Sequence, residues 1–314
     1  MMRAVQVDEF GDISKMHIAH LPRPVPGPGQ VLVAVQAAGV GPWDALVRSG
    51  TSGIRQPLPL TLGADLSGIV AEVGAGVLEF TPGDCVFGST NNRFVGAYAD
   101  FALADANRLA LKPAALSFIE TGGISVVAVT AWAMLFEHGR LRSGQRVLVH
   151  GAGGSVGNLA VQLARESGAR VVATCRARDG AFVAELGADE VVDFEADDFV
   201  EKVGSVDLVI DTVGGATQRK SFEVLGPEGA IVSIVSEPDQ ALAAERRARA
   251  EYFIVDVQSA ALEHIGQLLA SGLLRTDVGE VLTLPDAPIA HEMLAGRPHR
   301  RGKIVLDVRA GRLD

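Results

Sequence analysis

The chain is poor in cysteine: Cys85 and Cys175 are the two it has in 314 residues. Two cysteines so far apart offer no disulfide framework, which fits a reducing cytoplasm. They cannot make a structural zinc site either, which needs about four Cys or His ligands at short spacings. Histidine does not fill the gap, because His17, His20, His138, His150, His264, His291 and His299 are scattered. Basic clusters are also missing. Arg246-Arg247-Ala248-Arg249 reads as a short helical charge run facing solvent, and the net charge of −10 argues against a nucleic acid or an anionic membrane as partner. The longest apolar run, Ile124 to Phe136, falls short of the roughly 20 residues that span a bilayer, so it is read as a buried helix. The start, Met1-Met-Arg-Ala-Val-Gln, lacks the apolar core of a signal peptide.

What is present suffices for a large core. Hydrophobic residues make up 48% and charged residues 21% of the chain, a globular composition. Single cores stop growing near roughly 250–300 residues, so two domains are expected. Residues 1 to about 119 read as mostly β, with Val31-Leu-Val-Ala-Val, Gly68-Ile-Val-Ala-Glu-Val and Arg93-Phe-Val-Gly-Ala-Tyr as short runs between Gly/Pro turns. Pro22 to Gly29 reads as a stiff turn leading into the Val31 strand. From about 120 to 257 strands and helices alternate, with strands at Val147–His150, Val171–Thr174, Val191–Val192, Leu208–Ile210, Ile231–Ile234 and Tyr252–Val255. That alternation predicts a doubly wound parallel sheet, with ligand outside the strands' carboxyl ends. From 258 to 314 come a helix, with Ala261, Leu262, Ile265, Leu268 and Leu269 on one face, and strands at Val278–Leu284 and Lys303–Val308.

The most informative stretch is Arg146-Val-Leu-Val-His-Gly-Ala-Gly-Gly-Ser-Val-Gly-Asn158. It reads as a buried strand, a glycine-rich turn and a helix start, the order a dinucleotide site requires: backbone N–H groups and the helix N-terminus face a pyrophosphate. At the standard spacing the three positions are Ala152, Gly154 and Gly157, with Gly154 for close approach to phosphate and Gly157 for helix–strand packing. Gly153, Ser155 and Val156 complete the loop. Val156, Leu159, Ala160 and Leu163 share a helix face, and Gly168 stands where a C-terminal cap belongs.

Gly96-Ala-Tyr-Ala-Asp100, Thr130-Ala-Trp132, the loop at 147–157, Leu186-Gly-Ala-Asp189, Asp211-Thr-Val-Gly-Gly215 and Gly302-Lys-Ile-Val-Leu306 occur in this order. Together they resemble the medium-chain dehydrogenase/reductase superfamily, in its zinc-free quinone oxidoreductase branch, nearly end to end. The resemblance implies an α/β fold in which a Rossmann doubly wound parallel sheet (120–257) is inserted in a GroES-like β-rich catalytic domain (1–119 plus 258–314), with the active site in the cleft. It also implies a homodimer, joined near Tyr252–Val255. Zinc-dependent relatives carry a Cys and a Gly-His-Glu signature where this chain has Val40-Gly-Pro-Trp-Asp44 and Gly63-Ala-Asp65. Asp44 and Asp65 alone are a poor donor set for zinc, so a metal-free enzyme is expected. Hydride transfer to a soft position of a quinone or enone then becomes the feasible chemistry, with the protein positioning the nicotinamide.

For the cofactor, an acid about 20 residues past the glycine loop would favour NAD. The second strand instead ends Thr174-Cys175-Arg176-Ala177-Arg178, and guanidinium suits a 2′-phosphate, so NADPH is expected. Two features stay open: Asp179, whose carboxylate a shifted loop would offer, and Phe194, where some relatives have a Tyr near the phosphate. Matching motif positions place Thr130 near the nicotinamide, Thr212 and Val213 beside the adenosine, Ser233, Val235 and Ser236 at the end of strand five, and Phe253, Ile254 and Val255 at the carboxamide. On the substrate side Gly41 and Leu46 stand where relatives often have Asn and Tyr. Trp43 replaces a smaller residue, as a pocket wall or as core, and Asn91 and Tyr98 lie in a loop expected to face the cleft. Asp44 is expected to be ionised and bonded to its own turn, and no side chain stands out as general acid. The expected activity is NADPH-dependent reduction of a quinone or related conjugated carbonyl. An enoyl or alkenal reductase and a non-catalytic NADPH-binding structural protein are the alternatives.

Overall fold

The computed structural model describes residues 1–311; residues 312–314 of the expected C-terminal span lie outside the described residues. The chain divides into an outer unit, Met1–Val126, Asp256–Gly272 and Thr276 onward, and an inserted unit, Val127–Val255 with Leu273–Arg275.

In the outer unit β1 (Met2–Val7) pairs antiparallel with β2 (Met16–Leu21) and β4 (Leu60–Thr61). The larger sheet is built on β3 (Gln30–Val40), whose apolar sequence is buried along almost its whole length. α1 (Pro42–Ser49) follows it, and β5 (Asp65–Val73), β6 (Cys85–Ser89), β7 (Phe101–Asp105), β8 (Leu109–Leu111) and α2 (Phe118–Gly122) complete the N-terminal part. Register shifts between β3 and β5 bend the long strand. Its first half pairs with β7 and its second half with the last strand of the chain.

Arg93–Tyr98 was expected as a strand and is a loop. The Asn91 side chain closes the turn, accepting from the Arg93 N–H at 2.9 Å and donating to the Val95 carbonyl at 2.8 Å. Phe94 takes φ +58° and Gly96 φ +111°, which no strand tolerates. Apolar content misled here, because Phe94, Ala97 and Tyr98 are buried in a loop that still bonds Leu62, Gly63 and Val5 through its backbone.

In the inserted unit come α3 (Ser125–Trp132, begun in the outer unit) and a π-helical turn over Ala133–His138, so the run from Ile124 is helical and mostly buried. Then follow β9 (Arg146–His150), α4 (Ser155–Glu166), β10 (Arg170–Cys175), α5 (Gly180–Glu185), β11 (Glu190–Asp193), α6 (Phe199–Val203), β12 (Val206–Asp211), α7 (Gly215–Ser221), β13 (Leu225–Ser233), α8 (Gln240–Arg246) and β14 (Arg249–Tyr252). The sheet order is β11-β10-β9-β12-β13-β14, all parallel. The connections reverse direction between β9 and β12, the switch point at which open α/β sheets bind ligands. Gly168 has φ +80° just past α4, as a left-handed cap.

The last parallel strand lies at 249–252 rather than at the expected 252–255. An edge strand needs charge more than apolar content: Arg249 donates to the carbonyls of His138 and Gly139, and Glu251 contacts the His138 ring. The arginine run at 246–249 is correspondingly not one helical face. Arg246 ends α8, Arg247 is left-handed at φ +54° and Arg249 opens β14.

The chain ends with α9 (Ser259–Ala270), β15 (Val278–Thr283), α10 (Ala287–Leu294) and β16 (Lys303–Asp307). Leu262, Ile265 and Leu269 are the buried face of α9. β16 pairs parallel with β15 and antiparallel with β3. Among the described residues no helix is long and apolar enough to cross a membrane.

Candidate functional site

The glycine loop lies at the switch point. Gly151 leaves β9 with φ +69°, and a Cβ there would sit 2.5 Å from Thr212 Oγ1. Gly154 is the N-cap of α4. A Cβ on Gly157 would stand 2.2 Å from the Gly151 carbonyl oxygen and 2.8 Å from the Ala152 Cα, so the first turn of α4 lies directly on the strand end. Ala152, in the first glycine slot, is fully buried. The free N–H groups of the helix start and its positive dipole end suit a pyrophosphate.

Two buried groups brace the strand ends beside this turn. Asp211 Oδ1 accepts from the N–H groups of Val213 (3.0 Å) and Gly214 (2.8 Å), while Oδ2 accepts from Gln218 Nε2 (2.9 Å) and Ser233 Oγ (2.8 Å). Ser233, expected at the cofactor, is buried and also receives the N–H of Val235 at 3.1 Å. Its hydroxyl is occupied in the scaffold. His150 is held at Nδ1 by Thr174 Oγ1 (2.9 Å) and at Nε2 by Ser221 Oγ (3.0 Å). Burial pushes its pKa down to about 4, so it stays neutral and structural.

Beside the loop opens a cavity of about 550 Å³. Its walls include His150, Gly151, Thr174, Phe194, Val213 and Lys220, together with Glu195, Asp197 and Asp198. Of the expected cofactor residues, the structure brings Ala152–Gly157, Thr212 and Val213 to the carboxyl ends of β9 and β12. Val235 and Ser236 are exposed beyond β13, Thr130 is buried in α3, and Phe253 stacks on His138 at 4.0 Å with Ile254 exposed. Cys175 is buried, which raises its thiol pKa. Arg176 Nε lies 3.2 Å from Glu195 Oε1, and Arg178 Nε lies 3.8 Å from Asp179 Oδ2. Asp179 turns back over the phosphate loop, its Oδ2 3.1 Å from where a Cβ on Gly153 would be. A carboxylate therefore does stand next to the loop, although none ends β10.

On the substrate side the sequence placed Gly41, Trp43 and Leu46 on one segment and Asn91 and Tyr98 on another. Tyr98 is fully buried and donates to Asp44 Oδ2 at 2.9 Å; it faces the core. Asn91 is occupied by its own turn. Leu46 is exposed. The Trp43 ring lies against Gly41, where a Cβ would meet ring carbons at 2.3 Å to 2.5 Å. Lys303 Nζ sits 4.3 Å from the centre of that ring and 3.6 Å from Asp65 Oδ2. Asp44 Oδ2 also accepts the Gly41 N–H at 2.8 Å, the bond to its own turn that the sequence suggested. Its ionisation differs from the expectation, since complete burial pushes the pKa up to about 7. Sequence reasoning missed Lys303, Glu195 and Asp211 as site-builders. The signals were there: a lysine opening an apolar strand, and an acid closing one.

The donor set does not suit zinc. Asp65 is committed to the Val126 N–H (2.8 Å) and to Lys303, and among the described residues no group of three or more His, Cys, Asp or Glu is placed to hold a metal ion.

A family model described as an alcohol dehydrogenase GroES-like domain matches residues 27–114, and one described as a zinc-binding dehydrogenase matches 186–306. Quinone oxidoreductase of Rattus norvegicus is 31% identical over 324 aligned residues, covering 98% of each chain. The chain belongs to the medium-chain dehydrogenase/reductase superfamily, in its quinone oxidoreductase branch. It is an oxidoreductase. Among solved structures, the quinone oxidoreductase from Coxiella burnetii has a TM-score of 0.91 at 31% identity, covering 98% of this chain and 99% of its own. The mycobacterial protein Rv1454c, solved in complex with NADPH, has a TM-score of 0.87 at 27% identity, covering 98% of this chain and all of its own.

Proposed function

We propose that this oxidoreductase uses NADPH, without zinc, to reduce a quinone or a related conjugated carbonyl. The observation that carries the reading is the tight loop from Gly151 to Gly157 with two arginines just past β10. Gly153, Gly154, Ser155 and Val156 would receive the pyrophosphate, Thr212 and Val213 would flank the adenosine, and Arg176 and Arg178 would meet the 2′-phosphate. When bound, the nicotinamide supplies the hydride. In a zinc-free reading, with no metal to polarise a carbonyl, the protein's part is to hold and orient. Relatives named quinone oxidoreductase, matched over nearly the whole chain, support the acceptor class. Gly41 and Leu46, in place of the Asn and Tyr of relatives, leave Trp43 to shape the pocket by bulk. A homodimer is part of the proposal, through the free edge of β14.

Three measurements test the reading. Arg176→Ala should raise the KM for NADPH much more than that for NADH; equal changes refute the 2′-phosphate assignment. NADPH consumption with benzoquinones, naphthoquinones and 2-enals should be fastest with the quinones, and turnover of enals alone would replace the acceptor class. Elemental analysis of purified protein should find no stoichiometric zinc.

A further inference from the structure

The acids in and beside the cavity at the phosphate loop are already paired with cations. Arg176 faces Glu195 at 3.2 Å, Arg178 faces Asp179 at 3.8 Å, Lys220 faces Asp198 at 2.7 Å and Lys202 faces Asp197 at 3.3 Å. Three of those acids, Glu195, Asp197 and Asp198, line the cavity itself, against Lys220 as its one lining cation among the described residues. A phosphomonoester entering there brings close to two negative charges and meets guanidinium groups whose charge a carboxylate already offsets.

We propose that Glu195 is a specificity-determining residue that restrains the preference for NADPH. Its carboxylate lies 3.2 Å from Arg176 Nε, and the two terminal nitrogens of a guanidinium carry four further N–H donors. Arg176 thus remains able to contact a 2′-phosphate, but that phosphate must approach Glu195 as well. With NADH no phosphate is present, and the Arg176–Glu195 pair closes on itself. The site therefore accepts both dinucleotides and favours NADPH by a small factor. Both partners are about half exposed, at 50% and 59%, so the effect is that of a solvated ion pair, a few-fold in affinity and sensitive to salt.

The inference rests on the proposed use of NADPH, and the test separates the two. Dissociation constants for NADPH and NADH are measured by fluorescence titration on wild-type protein and on Glu195→Gln and Arg176→Ala, at low salt and at about 0.5 M salt. Gln keeps an acceptor for Arg176 Nε and removes only the charge. Glu195→Gln should tighten NADPH about three-fold at low salt, leave NADH within about 1.5-fold, and lose most of that gain at high salt. An unchanged or weakened NADPH affinity in Glu195→Gln, with Arg176→Ala still selectively weakening NADPH, overturns the role of Glu195 alone. If Arg176→Ala affects both dinucleotides equally, the NADPH reading itself fails. Equal tightening of NADH and NADPH in Glu195→Gln also overturns the proposal, because it marks general repulsion of nucleotide rather than recognition of the 2′-phosphate.

Discussion

The two units treat their buried polar groups differently. In the inserted unit the buried polar side chains around the phosphate loop are bonded with one exception, Asn158 Oδ1: four donors converge on Asp211, and both ring nitrogens of His150 are taken. Among the described residues, ten buried side-chain nitrogen or oxygen atoms have no hydrogen-bond partner within the protein, and nine of them belong to the outer unit. They include Trp43 Nε1, Asp44 Oδ1, Arg48 Nε and Nη1, Asp65 Oδ2 and both ring nitrogens of His291. An unmet buried polar group costs about 1–3 kcal/mol. The unit assigned to the cofactor is a nearly satisfied scaffold, then, and the unit assigned to the acceptor carries its polar groups at a cost around α1. Strain of this kind collects at functional sites.

Removing a satisfied hub should hurt most. Asp211→Ala leaves four donors without their carboxylate and should destabilise the protein by about 3–5 kcal/mol, read as a lower urea midpoint with unchanged slope. Asp44→Ala loses two bonds but also relieves the burial of a carboxylate, and should cost about 1–2 kcal/mol. Equal losses at the two positions would break the comparison.

Acid provides the next test. In the inserted unit His150, lowered to about 4 by burial, stays neutral while the unfolded chain takes up a proton below about 6.5. Stability held above pH 6.5 is therefore lost as pH falls towards 4, by about 3 kcal/mol. In the outer unit His291, also lowered to about 4, acts with the same sign. Asp44, raised to about 7, acts with the opposite sign: it holds its proton in the fold, so its contribution is complete below about 4 and fades as pH rises to 7. Asp65, raised by burial too, adds to that side. In urea unfolding from pH 7.5 to 4.5, His150→Gln should lose less stability on acidification than the wild type, and Asp44→Asn should lose more. Identical slopes in all three would remove the electrostatic half of the comparison.

The two units were also unequally legible in the sequence. Local rules sufficed for the inserted unit. Glycine spacing, strand and helix periodicity and the cap at Gly168 are short-range signals, and they place the loop and β9–β13. Even there, β14 was shifted three residues, since an edge strand stabilised by Arg249 and Glu251 looks less like a strand than the apolar Phe253-Ile-Val that follows. In the outer unit the important contacts are long-range. Nothing near Lys303 in sequence says that it meets Trp43 and Asp65, and nothing near Tyr98 says that its hydroxyl meets Asp44 instead of facing out. The position of Asp179 likewise follows from a turn, over 177–179, that brings its carboxylate back to Gly153.

Glycine substitutions sharpen the contrast further. Gly157→Ala would force a Cβ to within 2.2 Å of the Gly151 carbonyl and 2.8 Å of the Ala152 Cα. Both obstacles are backbone atoms, so the loop or α4 has to move. Dinucleotide affinity should fall about ten-fold or more, a loss of about 1.4 kcal/mol, measured by the same titrations as above. Retained affinity would mean that the close contact of α4 with the strand end does not shape the binding loop.

The smallest expected effect is a coupling at Gly41, where the obstacle is a side chain. A Cβ there meets the Trp43 ring, and that ring has somewhere to go only by leaving Lys303, which sits over it at 4.3 Å. Gly41→Ala should therefore cost about 1–2 kcal/mol by overpacking. In a Trp43→Ala background the same change should cost close to nothing, giving a coupling of about 1 kcal/mol in a double-mutant cycle of urea midpoints. Trp43→Ala alone removes the aromatic face from a buried lysine and leaves Asp65 as its charged partner at 3.6 Å. No equivalent rescue exists for Gly157, because removing a neighbouring side chain does not clear a carbonyl. If Gly41→Ala costs the same with and without Trp43, the indole is not what fills the space at position 41, and the reading of Trp43 as the bulk that shapes the acceptor pocket loses its structural basis.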